Sequence, residues 1–245
     1  MKLIRSEIFR KYPEIVFAFS TKVGLNRQMP FYFNLSLSVG DIVENAKENR
    51  KAFFAELGLS EEKVAIQKQT HNDIVRYVTN GGIVGESDAM ITDKKNLGLA
   101  IGVADCTPIF IYDSENKVVA AVHSGWRGTE KRILEKTIMK LKDEFNSKPE
   151  KLVAYIGPSI SQKNYEVGQE ITGLFDDKYK IKKGEKYLLD VAFVNYDMLI
   201  NSGLQKGNIE KSNLCTYEEK DLLHSFRRDG QKSGRSMGVI AIRDI

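Results

Sequence analysis

Three apolar runs near the middle of the chain, residues 97–103, 108–112 and 118–122, constrain the fold more than any other feature. Each is rich in Ile, Val and Leu, and together they read as buried strands of a central sheet. Shorter strand-like segments are predicted at 15–20, 63–69, 74–78, 152–156 and 237–242. Helical spacing predicts helices at 45–57 (closed by Gly58), 129–145, 165–175 and 191–202. Strands and helices mix without strict alternation. The expected fold is therefore α+β (mixed α/β), with one domain spanning residues 1–245.

The bulk composition excludes several classes. Apolar residues make up 42% and charged residues 29% of the 245 positions, an ordinary globular balance. A chain of this length buries a core without disulfides or structural metals, so a bound metal would serve chemistry. The net charge of +4 is a mild excess of 37 basic over 33 acidic residues. The lysines at 178, 180, 182, 183 and 186 are interrupted by acids, and no aromatic residues interleave with them as in a nucleic-acid platform. There is no signal-peptide pattern and no apolar stretch long enough for a membrane span. With only two cysteines, Cys106 and Cys215, the expected setting is a reducing one and the expected location cytoplasmic.

The chemistry-bearing residues are few. There are three histidines, His71, His123 and His224. His71 sits in a polar break between two strand-like segments, after Gln69-Thr70. His123 ends an apolar strand and opens into Ser124-Gly125-Trp126-Arg127-Gly128. Cys106 ends another, in Ala104-Asp105-Cys106-Thr107-Pro108. Polar residues at the ends of buried strands are where open sheets place their sites. Each residue alone also fits a structural role, as a small core cysteine or a satisfied histidine. No local C-x-x-C or H-x-x-x-H spacing decides between the two.

The arrangement of motifs resembles the YfiH family. Its members were long called multicopper polyphenol oxidases or laccase-domain proteins and were reassigned to purine nucleoside phosphorylase activity. The matching segments run nearly end to end. They include Phe19-Ser20-Thr21-Lys22, Asn34-Leu35, Val39-Gly40-Asp41, Gln69-Thr70-His71, Ser87-Asp88-Ala89, the Cys106 and His123 segments above, Tyr165-Glu166-Val167, and Ser225-Phe226-Arg227-Arg228-Asp229-Gly230. The resemblance implies a layered α/β/β/α sandwich with mixed sheets. It also implies one zinc, with copper as the alternative, held by His71, Cys106 and His123. Three protein ligands leave one position open, as in catalytic rather than structural zinc sites.

The implied activity is phosphorolysis of adenosine, inosine and S-methyl-5'-thioadenosine, together with adenosine deamination. Arg228, Arg127 and Lys22 are candidate phosphate anchors, with Arg228 the first choice, and Arg228 joins the three ligands as a catalytic residue. Lys22, Asn34, Gln69, Asp105 and Arg127 are the expected substrate contacts, with Asp105 and Asp73 as acid/base groups. Partners are a purine nucleoside and phosphate, with no nucleic acid or membrane, and a monomer is expected. His224 is expected to be a peripheral, non-catalytic histidine. The chain departs from the family pattern at Ser38, where a histidine is common, at Lys163-Asn164, where cysteines are common, and at Lys22, where arginine is common.

Two other activities compete. Cys106 as nucleophile with His123 as base would make a cysteine hydrolase acting on amides. Copper-dependent phenol oxidation is the older family label, but a laccase adds a trinuclear copper cluster held by many more histidines than the three present. Only weak oxidase activity from a single copper would be open to this chain.

Overall fold

The computed structural model describes residues 1–244. Two six-stranded mixed sheets pack face to face. The first runs in the order Leu3–Ile4, Ile15–Ser20, Ser236–Ile242, Gly98–Val103, Val64–Lys68, Gly82–Glu86. The second runs Ile209–Lys211, Leu152–Ile156, Thr107–Asp113, Val118–Ser124, Ala89–Thr92, Val75–Tyr77. A small antiparallel sheet, Glu166–Val167, Lys186–Leu189 and Lys180–Lys183, sits to one side.

The central runs lack polar residues because both faces of each strand are buried. Side chains alternate between faces. Phe110, Tyr112, Val119 and Ala121 point between the sheets and meet Phe17, Phe19, Leu99, Ile101 and Ile240. Their neighbours Ile109, Ile111, Val118, Ala120 and Val122 point outward. There they pack on Ile133, Leu134, Ile138 and Leu141 of helix Ile133–Phe145 and on Leu199 of helix Val191–Asn201. On the far side, Ala18, Ala100 and Val239 receive Phe53 and Phe54 of helix Val43–Glu56. The order of layers is thus helix, sheet, sheet, helices, the α/β/β/α sandwich that the family resemblance implied. Among the described residues, no helix is long and apolar enough to cross a membrane.

Two predicted helices differ. The segment expected as one helix over 129–145 is divided into Trp126–Glu130 and Ile133–Phe145, because Arg132 takes a left-handed φ of +60°. The segment at 165–175 is mostly not helical. The Tyr165 carbonyl accepts a hydrogen bond from the Leu189 amide, and Glu166–Val167 joins the small sheet. Only one turn, Gln169–Thr172, remains helical.

His224 also departs from expectation. It is 2% exposed rather than peripheral. It lies so close to Gly234 that a Cβ there would come within 2.6 Å of its ring. Burial, helped by the charges of Lys22 and Arg235, pushes its pKa down to about 3, against the opposing pull of a backbone hydrogen bond at Phe33 and of Asp229. The folded protein therefore excludes a proton that the unfolded chain binds below about pH 6.5. This residue's contribution to stability is full above that pH and is lost as the medium is acidified towards pH 3, by roughly 1 kcal/mol per pH unit. Denaturant melts of His224→Gln between pH 4 and 7 should show a shallower acid slope than the parent chain. Parallel slopes would refute this origin of acid lability.

Candidate metal centre

The chain passes from the first sheet to the second three times in succession, and each crossing delivers one polar residue to the same rim. The crossing between Val64–Lys68 and Val75–Tyr77 carries His71. That between Gly82–Glu86 and Ala89–Thr92 carries Asp88. That between Gly98–Val103 and Thr107–Asp113 carries Cys106. His123 reaches the rim from strand Val118–Ser124, where it stands opposite Pro108. The crossings are tight. His71 and Asp105 take left-handed φ values of +59° and +91°, conformations that non-glycine residues hold only when their surroundings impose them.

The result is a compact donor set. One ligand atom from each of His71, Cys106 and His123 lies within 4.8 Å of the others. His71 Nε2 is 3.8 Å from Cys106 Sγ, and the two imidazole rings stand 4.9 Å apart at 78°. His123 is buried, Cys106 half-buried and His71 exposed, so the set opens toward solvent on the His71 side. Gly125 permits this closeness, since a Cβ there would stand 3.0 Å from Cys106 Sγ and 3.1 Å from the His71 ring.

Asp88, wholly buried, organises two of these three donors. His123 Nδ1 donates to Asp88 Oδ1 at 2.7 Å, so in the neutral imidazole the lone pair lies on Nε2. Asp88 Oδ2 accepts from the amides of Thr70 at 3.1 Å and Asn72 at 2.8 Å, the residues on either side of His71. Carboxylate-backed histidines are typical of metal sites. Burial opposes charge on both Cys106 and His123. The pair nevertheless favours the charged forms: the imidazolium lowers the thiol, while the thiolate and Asp88 raise the imidazole. A thiolate and two imidazoles suit zinc, whose donors in a tetrahedral shell stand roughly 3.3–3.6 Å apart given bond lengths of about 2.0–2.3 Å. The residues present fit such an ion.

The other expected site residues divide sharply. Asn34 is fully buried. Its amide donates to Ser36 O and Asp41 Oδ2, and its oxygen accepts from the Ser36 and Arg235 amides, so it has no reach to a substrate. Gln69 clasps the Gly102 peptide at both ends, at 2.8 and 2.9 Å. Asp105 accepts from Thr216 Oγ1 at 2.6 Å and the Arg227 amide at 2.7 Å. Asp73 is paired with Lys136, which holds its carboxyl below the usual range and keeps it from acting as a proton donor. Arg228 is the main correction. Its five donors go to the carbonyls of Thr216, Tyr217 and Leu223 and to both oxygens of Asp229, so none is left for phosphate.

Lys22 and Arg127 are engaged differently. Lys22 lies 4.2 Å over the Tyr32 ring, and Arg127 lies 4.4 Å over Trp126. Near Cys106, Tyr165 is stacked by Arg227 at 5.1 Å, and burial pushes its hydroxyl up to about 12, so it stays protonated. Cys215 is a buried acceptor for the Ser161 amide at 3.3 Å. The sequence reading missed the roles of Asp88 and Gly125, although both lie in motifs it singled out.

Comparison with known proteins shows which family the chain belongs to. A family model described as multi-copper polyphenol oxidoreductase laccase matches residues 16–243. A Bacteroides thetaiotaomicron protein named purine nucleoside phosphorylase is 32% identical over 86% of this chain and 84% of its own length. The Bacillus subtilis purine nucleoside phosphorylase YlmD is 31% identical over 94% of this chain and 90% of its own. The crystal structure of the Bacillus licheniformis hypothetical protein YfiH superimposes with a TM-score of 0.93 at 30% identity, over 98% of this chain and 96% of that one. The chain belongs to this laccase-like YfiH family, whose curated relatives bear the name purine nucleoside phosphorylase.

Proposed function

We propose that the protein is a zinc-dependent purine nucleoside phosphorylase that cleaves adenosine, inosine and S-methyl-5'-thioadenosine and also deaminates adenosine. The observation that carries this reading is the His71–Cys106–His123 donor set, within 4.8 Å, at the rim of a fold shared along its length with relatives of that name. A zinc ion held there would supply Lewis acidity and activate water, the requirement for displacing an amine from C6 of adenine.

The chain's own residues supply the rest. Asp88 fixes the His123 tautomer and the loop of His71, while Gly125 leaves room for the ligands to converge. Trp126 follows His123 by three residues, Tyr165 lies in the field of Cys106 and Phe226 precedes the Arg227 amide bound to Asp105, aromatic rings that suit a flat base. Phosphorolysis further needs a cation with open donors.

The test is product analysis by purified, zinc-loaded protein with and without phosphate. Inosine should give hypoxanthine and ribose 1-phosphate only when phosphate is present, and adenosine should also give inosine without it. One further observation favours a second reading: the Cys106 thiol is lowered by His123 and His71, as in a cysteine nucleophile. Nucleosides left untouched in phosphate buffer, with a glutamine or other amide hydrolysed instead, would replace the phosphorylase by that hydrolase.

A further inference from the structure

Phosphorolysis requires a grip on phosphate that Arg228 has no free donor to give. A different guanidinium meets the need. Strand Ser236–Ile242 runs antiparallel to Gly98–Val103 with Ser236 opposite Val103. Continuing that register by one residue sets Arg235 opposite Ala104, beside the Asp105–Cys106 crossing. Its backbone is fixed, since the Arg235 amide donates to the buried Asn34 oxygen at 2.9 Å. Nη1 donates to the carbonyls of Ser233 and Gly234 at 2.8 and 3.0 Å, which anchors one end of the guanidinium.

The other end is open. Among the described residues, Nε and Nη2 of Arg235 make no hydrogen bond, and no carboxylate forms an ion pair with it. The guanidinium carbon lies 5.5 Å from the Phe226 ring centre. Phe226 leads into Arg227, whose amide is bound to the Asp105 carboxylate at 2.7 Å. Burial disfavours the Arg235 charge, whereas Cys106 and Asp105 favour it, which places the guanidinium in the field of the ligand cluster. A half-desolvated cation, held at one end and unpaired at the other, is suited to an anion that arrives with the substrate.

We propose that Arg235 binds inorganic phosphate beside the metal ligands, with Nε–H and Nη2–H forming a side-on fork to two phosphate oxygens. This inference rests on the phosphorylase reading. Arg127, close after His123 and without an ion pair among the described residues, adds a second positive charge to the same rim.

The experiment titrates inorganic phosphate into zinc-loaded protein by calorimetry and measures KM for phosphate with inosine as co-substrate, in the parent chain, Arg235→Gln and Arg235→Lys. Zinc content, melting temperature and inosine affinity without phosphate serve as controls. In Arg235→Gln, phosphate Kd and KM should rise about 10- to 100-fold, while zinc content and inosine affinity hold. Arg235→Lys keeps the charge but not the fork and should fall between. An unchanged phosphate affinity in Arg235→Gln, with phosphorolysis intact, overturns the proposal and leaves the phosphorylase reading standing. An equal loss of inosine affinity also overturns it, since the residue would then be structural. Phosphate binding that depends on Arg235, in a protein that cleaves no nucleoside, supports the anion site and removes the phosphorylase reading.

Discussion

Cys106→Ala is expected to abolish nucleoside phosphorolysis and adenosine deamination together and to release the metal. In the proposed centre the thiolate is one of three ligands and the only anionic one, and Cys106 Sγ lies 3.8 Å from His71 Nε2. Without it, two imidazoles remain, one of them exposed on a surface crossing. Such a pair falls short of the three protein ligands that catalytic zinc sites use. Lewis-acid assistance contributes several kcal/mol to a hydrolytic or transfer step, so its loss corresponds to a fall of about a thousandfold or more in rate. The fold should survive, because Cys106 is half-buried at the rim and a smaller side chain creates little cavity. Steady-state assays and metal analysis of the same preparation check this. Retained deamination in a metal-free Cys106→Ala protein would contradict it.

Asp88→Asn is expected to weaken zinc binding by about 10- to 100-fold, the usual effect of losing a carboxylate behind a ligating histidine. The substitution is nearly isosteric, but all three partners of Asp88 are donors: His123 Nδ1, the Thr70 amide and the Asn72 amide. Asparagine offers one acceptor oxygen and a donor group. Either His123 loses its partner or the amides beside His71 face an N–H, and each stranded buried donor costs about 1–3 kcal/mol. Competition with a chromophoric chelator measures the affinity, and melting of the metal-free protein separates it from stability. A purely structural aspartate would lower the metal-free melting temperature and leave the zinc affinity alone.

Much of this molecule is legible from the chain because its strands are buried on both faces. Ile109 to Tyr112 and Val118 to Val122 have no polar side to obscure them, so they read directly as strands. The short strand Ala89–Thr92 was not anticipated, because three apolar residues and a threonine after Ser87-Asp88 carry little periodic signal. The helix over 165–175 failed for another reason: its residues suit a helix locally, but pairing with Lys186–Leu189 overrides that preference.

The candidate set His71, Cys106 and His123 came from the family resemblance of its motifs, since residues so distant in sequence meet only through the crossings between sheets. Asp88 gave no chemical signal of its own, as an acid between a serine and an apolar run reads as a turn. The expectation of Arg228 as phosphate anchor, with Arg235 not considered, shows the limit most clearly. Both are arginines in a basic C-terminal stretch, and only the hydrogen-bond partners distinguish the saturated one from the one with an open end.

The central claim is that His71, Cys106 and His123 share one zinc ion. Elemental analysis combined with X-ray absorption at the zinc edge tests it most directly. The account predicts about one zinc per chain, with one sulfur near 2.3 Å and two imidazole nitrogens near 2.0–2.1 Å, and loss of the sulfur signal in Cys106→Ala. A zinc shell without sulfur, or active protein containing no metal, would contradict it.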